Sequence, residues 1–234
     1  MNGFQMTEAE DLLLYGAELN RISAIEGYVT SGTADKNTTF FDAVYVQDKT
    51  GGITVFPYSQ TGLEIGTKVR ITGYTDEYQG DKEIQILSVE ILDDDPYSYE
   101  PKLLTTAQAT DYDTYGGQLV KVSGTASDII KENGVVSQFK VIDRSGIAAT
   151  VFIDGYITNA SGVNDIGNWL IDGTEVEAAG LLYKHPEGGS DVSVPVLCVR
   201  NCDEIISDGS PSDRAYTLTY DNGAVTVTGS EAVA

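Results

Sequence analysis

The stretch FFDAVYVQDKTGGITVFPYS, Phe40 to Ser59, reads as a strand, a charged turn and a second strand. In its first run Val44 and Val46 share one face, Tyr45 and Gln47 the other; beyond the turn Ile53 and Val55 alternate with Thr54 and Phe56. Successive strand residues point to opposite faces, so each run offers an apolar side to a core. Asp48 to Gly52, DKTGG, supply the turn between them. Roughly a hundred residues later the chain repeats the device as QFKVIDRSGIAATVFIDGY, Gln138 to Tyr156, with DRSG at the turn.

Outward from the two hairpins, the flanking segments also correspond. Thr7 and Glu10 in TEAE, and Thr105 and Gln108 in TTAQ, have capping-box spacing and predict short helices over 7–15 and 105–112. YGAEL (Tyr15 to Leu19) answers YGGQL (Tyr115 to Leu119). First strands follow from Asn20 and Val120, with Gly27 and Gly124 where a strand glycine marks a bulge or sharp bend. Fourth strands are GTKVRITGY (Gly66 to Tyr74) and GTEVEAAGL (Gly173 to Leu181). The fifth are EIQILSVEIL (Glu83 to Leu92) and PVLCVRNCDEII (Pro195 to Ile206). Five strands in the same order in each half predict an all-β chain of two tandem five-stranded barrels, each with a leading helix.

Boundaries follow from composition. Residues 1–97 form the first expected domain and 98–208 the second, joined by DDDPYSYEPK (Asp93 to Lys102), a short connector stiffened by Pro96 and Pro101. Residues 209–234 read as a linker and a C-terminal β-hairpin around Asp221, Asn222 and Gly223, since Asn-Gly between alternating runs is a strong hairpin signal. A lone hairpin is too small to be stable by itself. It is expected to pack on the second repeat or to open a third, truncated domain.

The 234 residues carry a formal charge of −22, with only 14 Lys and Arg, and these are scattered. A field of that sign repels polyanions, although a local basic stripe would still attract one. Nucleotide and hydrolase signatures of the G-x-G-x-x-G, P-loop, G-x-S-x-G and H-E-x-x-H kinds are missing from the chain. The single histidine, His185, falls in the Pro/Gly-rich loop YKHPEGGSD and is expected at the surface rather than as a catalytic base. No carboxylate pair stands out among the acidic residues, and Asp93 to Asp95 read as a charged linker before a calcium site. Cys198 and Cys202 are expected as buried free thiols; a bridge between them requires a turn within CVRNC. Catalysis, metal and cofactor are therefore not expected. The N-terminus has no signal-peptide pattern and no apolar run is long enough to insert in a membrane, so the chain as given is expected to be soluble; its abrupt start and end lead us to expect a piece excised from an exported protein.

A small five-stranded barrel with a bent first strand is the OB-fold pattern. AVYVQDKTGGITVF, LEIGTKVRITGY and EIQILSVEIL resemble the OB-fold repeats of secreted bacterial proteins. Gln47, Asp48, Gly51, Gly52 and Ile53 fill that family's hairpin motif, and Gly66, Val69, Ile71 and Gly73 its following strand. The second half matches more loosely, through YGGQLVKVSG, VIDRSG and GTEVEAAG. Such repeats stand beside extracellular nucleases, phosphoesterases and surface proteins. The resemblance thus implies a non-catalytic binding or spacer module, extracellular or at the cell surface, whose partners are adjoining domains or surface proteins. The alternative is binding of single-stranded nucleic acid or oligosaccharide on the OB face. The candidate ligand face comprises the aromatics Phe41, Tyr45, Phe56, Tyr58 and Tyr74 with Lys68 and Arg70. Outward aromatics beside a basic patch favour nucleic acid; aromatics ringed by Asp, Asn and Gln favour sugar.

Overall fold

The computed structural model describes residues 8–9, 22–34, 40, 42–157, 166–187, 191–207, 216–221 and 224–229. Alternating runs become strands nearly everywhere they were expected. In the first half these are β1 (Ile22–Ser31), β2 (Val44–Gln47), β3 (Gly52–Phe56), β4 (Lys68–Tyr78) and β5 (Asp81–Ile91). They close into a barrel in the order β1-β2-β3-β5-β4. All neighbours are antiparallel except β3 and β5, which run parallel. Ile25, Val44, Val46, Ile53, Val55, Ile71 and Ile84 fill its interior. These include the apolar faces read from the hairpin sequence.

The second half begins with β6 (Lys102–Leu103) and continues through β7 (Leu119–Glu132), β8 (Val135–Ile142), β9 (Ala148–Phe152), β10 (Glu175–Pro186), β11 (Ser193–Cys198) and β12 (Ile205–Ser207). They make one seven-stranded sheet in which β10 also pairs with β7. Its pairings β7–β8, β8–β9, β9–β11, β11–β10 and β10–β7 have the same order and sense as those of the first barrel. Leu119, Val122, Phe139, Val151, Leu181 and Leu197 lie in its core. Gly27 and Gly124 answer to a common need: a Cβ would come within 2.7 Å of the Gln47 carbonyl oxygen and 2.4 Å of that of Ile142. Close approach of the neighbouring backbone, not a turn, requires glycine there.

The capping box at Thr105 forms as expected, with Gln108 N donating to Thr105 Oγ1 (3.1 Å) and Thr105 N to Gln108 Oε1 (2.9 Å). The predicted helix over 105–112 does not run through. A 3-10 turn occupies Gln108–Thr110, and a four-residue helix α1 (Tyr112–Tyr115) starts afresh behind Asp111. Asp111 leaves helical geometry at ψ 82° and caps α1 by accepting from Thr114 N. The helix expected over 7–15 falls almost entirely outside the described residues. The C-terminal hairpin is present as β13 (Tyr216–Asp221) and β14 (Ala224–Gly229), paired with each other, while its Asn222-Gly223 turn is outside the described residues. Among the described residues no helix is long and apolar enough to cross a membrane.

The two halves are locked together. Phe40 and Tyr45 of the first half belong to the core of the second, and Tyr112 of the second belongs to the core of the first. Gly52 meets Gly117 so closely that a Cβ on Gly52 would sit 2.1 Å from the Gly117 carbonyl oxygen. Polar groups cross the seam as well. Leu119 N donates to Gln47 Oε1 (2.9 Å), Lys82 N to Tyr112 Oη (2.6 Å) and Arg200 Nη1 to the Thr30 carbonyl (2.7 Å).

Candidate ligand faces and the seam between the halves

In a small barrel of this topology an exposed ligand face needs outward side chains on the second and third strands. Here every residue of β2 is buried, and so is every residue of β3 except Phe56, which is half-buried. The inward positions face the barrel core. The outward ones, Tyr45, Gln47 and Thr54, are covered at the seam. This corrects the reading of Tyr45 as part of an outward platform: its ring packs edge-on to Phe40 (5.8 Å between centroids) in the core of the second half. Burial pushes its phenol well above the ordinary range. Tyr58 is likewise not outward; it lies in the core of the first barrel, its N–H donating to the Asp42 carbonyl. Tyr74 is half-buried on β4 between Ile22 and Gln85, and Phe41 lies outside the described residues.

The two cations of the expected face are engaged. Lys68 pairs with Asp94 and lies over the Tyr28 ring at 5.6 Å. Arg70 bridges Glu26 (2.6 Å) and Glu90 (2.6 Å). Among the described residues Lys49, Lys82, Lys121, Lys140 and Arg200 each face a carboxylate too. Lys184 and Lys102 lie over the rings of Tyr112 and Tyr115. Those among these pairs that are exposed, such as Lys49–Glu8, add little stability. Their effect is on the field: no basic stripe survives on β4, and the net negative charge is left uncompensated.

A cluster of acids borders the seam. Asp81 is buried, accepting from Thr54 Oγ1 (2.8 Å) and from Lys184 N across the seam (3.2 Å). Desolvation raises its pKa to about 6 against the pull of those hydrogen bonds. Glu83, two residues along β5, is raised to about 7 by burial first and by the charges of Asp76 and Asp81 second. No group of three or more metal-ligating side chains is found among the described residues.

His185 departs from its expected place in an exposed loop. It is the penultimate residue of β10, half-buried, and stacks on Phe152 at 4.3 Å between ring centroids, with Tyr183 Oη 3.2 Å from its Nδ1. Burial lowers its pKa, so the neutral ring is favoured near neutrality. Both cysteines are buried thiols outside any disulfide, as expected.

What composition did not reveal is a cleft of about 560 Å³ beside the connector, lined by Glu8, Glu26, Gly27, Tyr28, Asp48, Lys49, Lys68 and Tyr99. The connector is exposed along most of its length but anchored to the first half. Tyr97 N donates to the Gly66 carbonyl (3.0 Å), and the rings of Tyr28, Tyr97 and Tyr99 meet edge-to-face at 4.9 to 6.3 Å. The one available signal was the pair of tyrosines between Pro96 and Pro101.

No protein-family model and no curated protein matches the chain. Solved structures similar to it include the hypothetical protein ygiW from E. coli (16% identity, 39% of this chain and 100% of that one, TM-score 0.30). The tetrameric p202 HIN2 covers 78% of this chain and 91% of its own at 12% identity and TM-score 0.36. A replication protein A heterotrimer bound to single-stranded DNA covers 88% and 70% at 8% identity and TM-score 0.29. At such TM-scores these likenesses do not bear on what this chain binds.

Proposed function

We propose that the chain is a non-catalytic module made of two OB-type barrels fused into one stiff unit, which holds or presents adjoining domains of an exported protein at a fixed spacing. The observation that carries this reading is the double burial of β2 and β3. The strand pair that OB-folds use for oligonucleotides and oligosaccharides is spent on joining the halves. A flexible tandem of independent binders has no reason to lose that face; a rigid spacer does. The paired cations agree with it, because binding a polyanion draws on clustered, available Lys and Arg.

Spin labels on Thr72 of β4 and Thr150 of β9, introduced as Thr72→Cys and Thr150→Cys, test the stiffness. One narrow distance distribution is expected from electron-electron double resonance; a broad one rejects the spacer. Labelled oligo-dT and oligo-U are expected to leave fluorescence anisotropy unchanged at physiological salt.

A second reading keeps single-stranded nucleic-acid binding, but on the second barrel. There β8 and β9 alternate buried and half-exposed residues, leaving Gln138, Lys140, Thr150 and Phe152 outward. Saturable oligonucleotide binding that is lost in Phe152→Ala favours that face.

A further inference from the structure

The cleft beside the connector has the size and chemistry of a small-ligand site, and it lies apart from the β2–β3 face. Its volume of about 560 Å³ falls within the range of roughly 300–1,000 Å³ usual for ligand pockets. Its walls come from five places: the N-terminal segment (Glu8), β1 (Glu26, Gly27, Tyr28), the β2–β3 turn (Asp48, Lys49), the start of β4 (Lys68) and the connector (Tyr99). Several of these side chains are held in place. Arg70 fixes Glu26 through Oε1, with Nε at 2.9 Å and Nη2 at 2.6 Å. Asp48 accepts from Thr50 N and Gly51 N at Oδ1 and from Ala9 N at Oδ2. The Tyr28 and Tyr99 rings are set edge-to-face, with Tyr97 against both.

Charge decides among ligand classes. Lys49 is paired with Glu8 and Lys68 with Asp94, so an anion finds each ammonium already matched and Glu26 and Asp48 opposing it. A cation fares no better on Tyr28, because the Lys68 ammonium occupies that ring. An uncharged ligand rich in hydroxyls meets both what it can donate to, carboxylates, and what it can accept from, ammonium groups, beside aromatic rings.

We infer that this cleft, built by Tyr28, Tyr99, Glu26, Asp48, Lys49 and Lys68, is a binding site for a neutral oligosaccharide. The connector then has two tasks, joining the halves and forming one wall of the site. This goes beyond the spacer reading, and the two fail separately: absent sugar binding with narrow spin-label distances rejects the cleft assignment alone, and sugar binding with broad distances rejects the spacer alone.

The test is calorimetric titration of the full chain with cellotetraose, maltotetraose, mannotetraose and chitotetraose at physiological salt, with a heparin tetrasaccharide and choline as charged controls. At least one neutral tetrasaccharide is expected to bind with a Kd below about 1 mM, little affected by salt. Tyr99→Ala is expected to weaken it by about tenfold or more. Because that change also loosens the connector, Glu26→Gln, which keeps the shape and removes the charge, is run beside it and is expected to weaken binding while leaving the melting temperature near that of the parent. Binding of none of the four, binding of heparin or choline alone, or full affinity in both variants overturns the assignment.

Discussion

Asp81 is a carboxylic acid held between the first barrel and the second sheet, and its burial has a measurable sign. Its folded pKa of about 6 exceeds the ordinary 3.8, so the folded state binds a proton more tightly than the unfolded chain. The stabilising effect of protonation is therefore present in full below the ordinary value of 3.8 and is lost as pH rises through about 6. A difference of about two units corresponds to something on the order of 3 kcal/mol. Glu83 acts in the same direction up to about pH 7, strengthened by the charges of Asp76 and Asp81, while Lys184 across the seam opposes the rise at Asp81. Asp81→Asn removes the titration. Thermal melts of the two proteins from pH 4 to pH 7 should show the parent losing more stability than the variant; parallel curves contradict the assignment. A second residue-scale expectation concerns Tyr45, which fills the core of the other half. Tyr45→Ala should cost about 3–5 kcal/mol, by analogy with other large aromatic truncations, measured by urea denaturation.

At the scale of elements, the β2–β3 hairpin shows both the reach of sequence reading and its limit. Alternation told which of its side chains share a face, and Val44, Val46, Ile53 and Val55 are in the barrel core as that pattern requires. Alternation carries no information about what covers the opposite face. Tyr45 and Thr54 therefore read as outward, whereas a surface assembled from the other half of the chain buries them. The capping box at Thr105 was legible for the same local reason, and the length of its helix was not, because Asp111 offers a competing cap. The connector was the least legible part. Charged, proline-flanked residues look solvated, and only the fold brings Tyr97 and Tyr99 against Tyr28. The Gly52 turn yields a further expectation. Gly52→Ala places a methyl against the Gly117 backbone, which a side-chain rotation cannot relieve. The variant should melt markedly lower and broaden the spin-label distances between the halves; an unchanged, narrow distribution contradicts the close approach.

At the scale of the molecule, the halves exchange aromatic rings across a seam that also carries hydrogen bonds. Unfolding should accordingly be one transition rather than two. Calorimetry that resolves two separate endotherms would show that the shared cores are energetically independent. The acidic character of the whole chain, −22 by formal count, opposes the binding of a polyanion.

The exchange of rings also bears on the order of synthesis. Tyr112 completes the core of the first barrel, although every strand of that barrel ends by Ile91. A ribosome therefore releases all five strands before it releases the side chain that closes them. Phe40 and Tyr45 emerge early and wait for β7 to β11, the strands they will pack among. The nascent first barrel lacks the Tyr112 ring until the start of its successor arrives, so a pause in translation just after the connector leaves its core one side chain short.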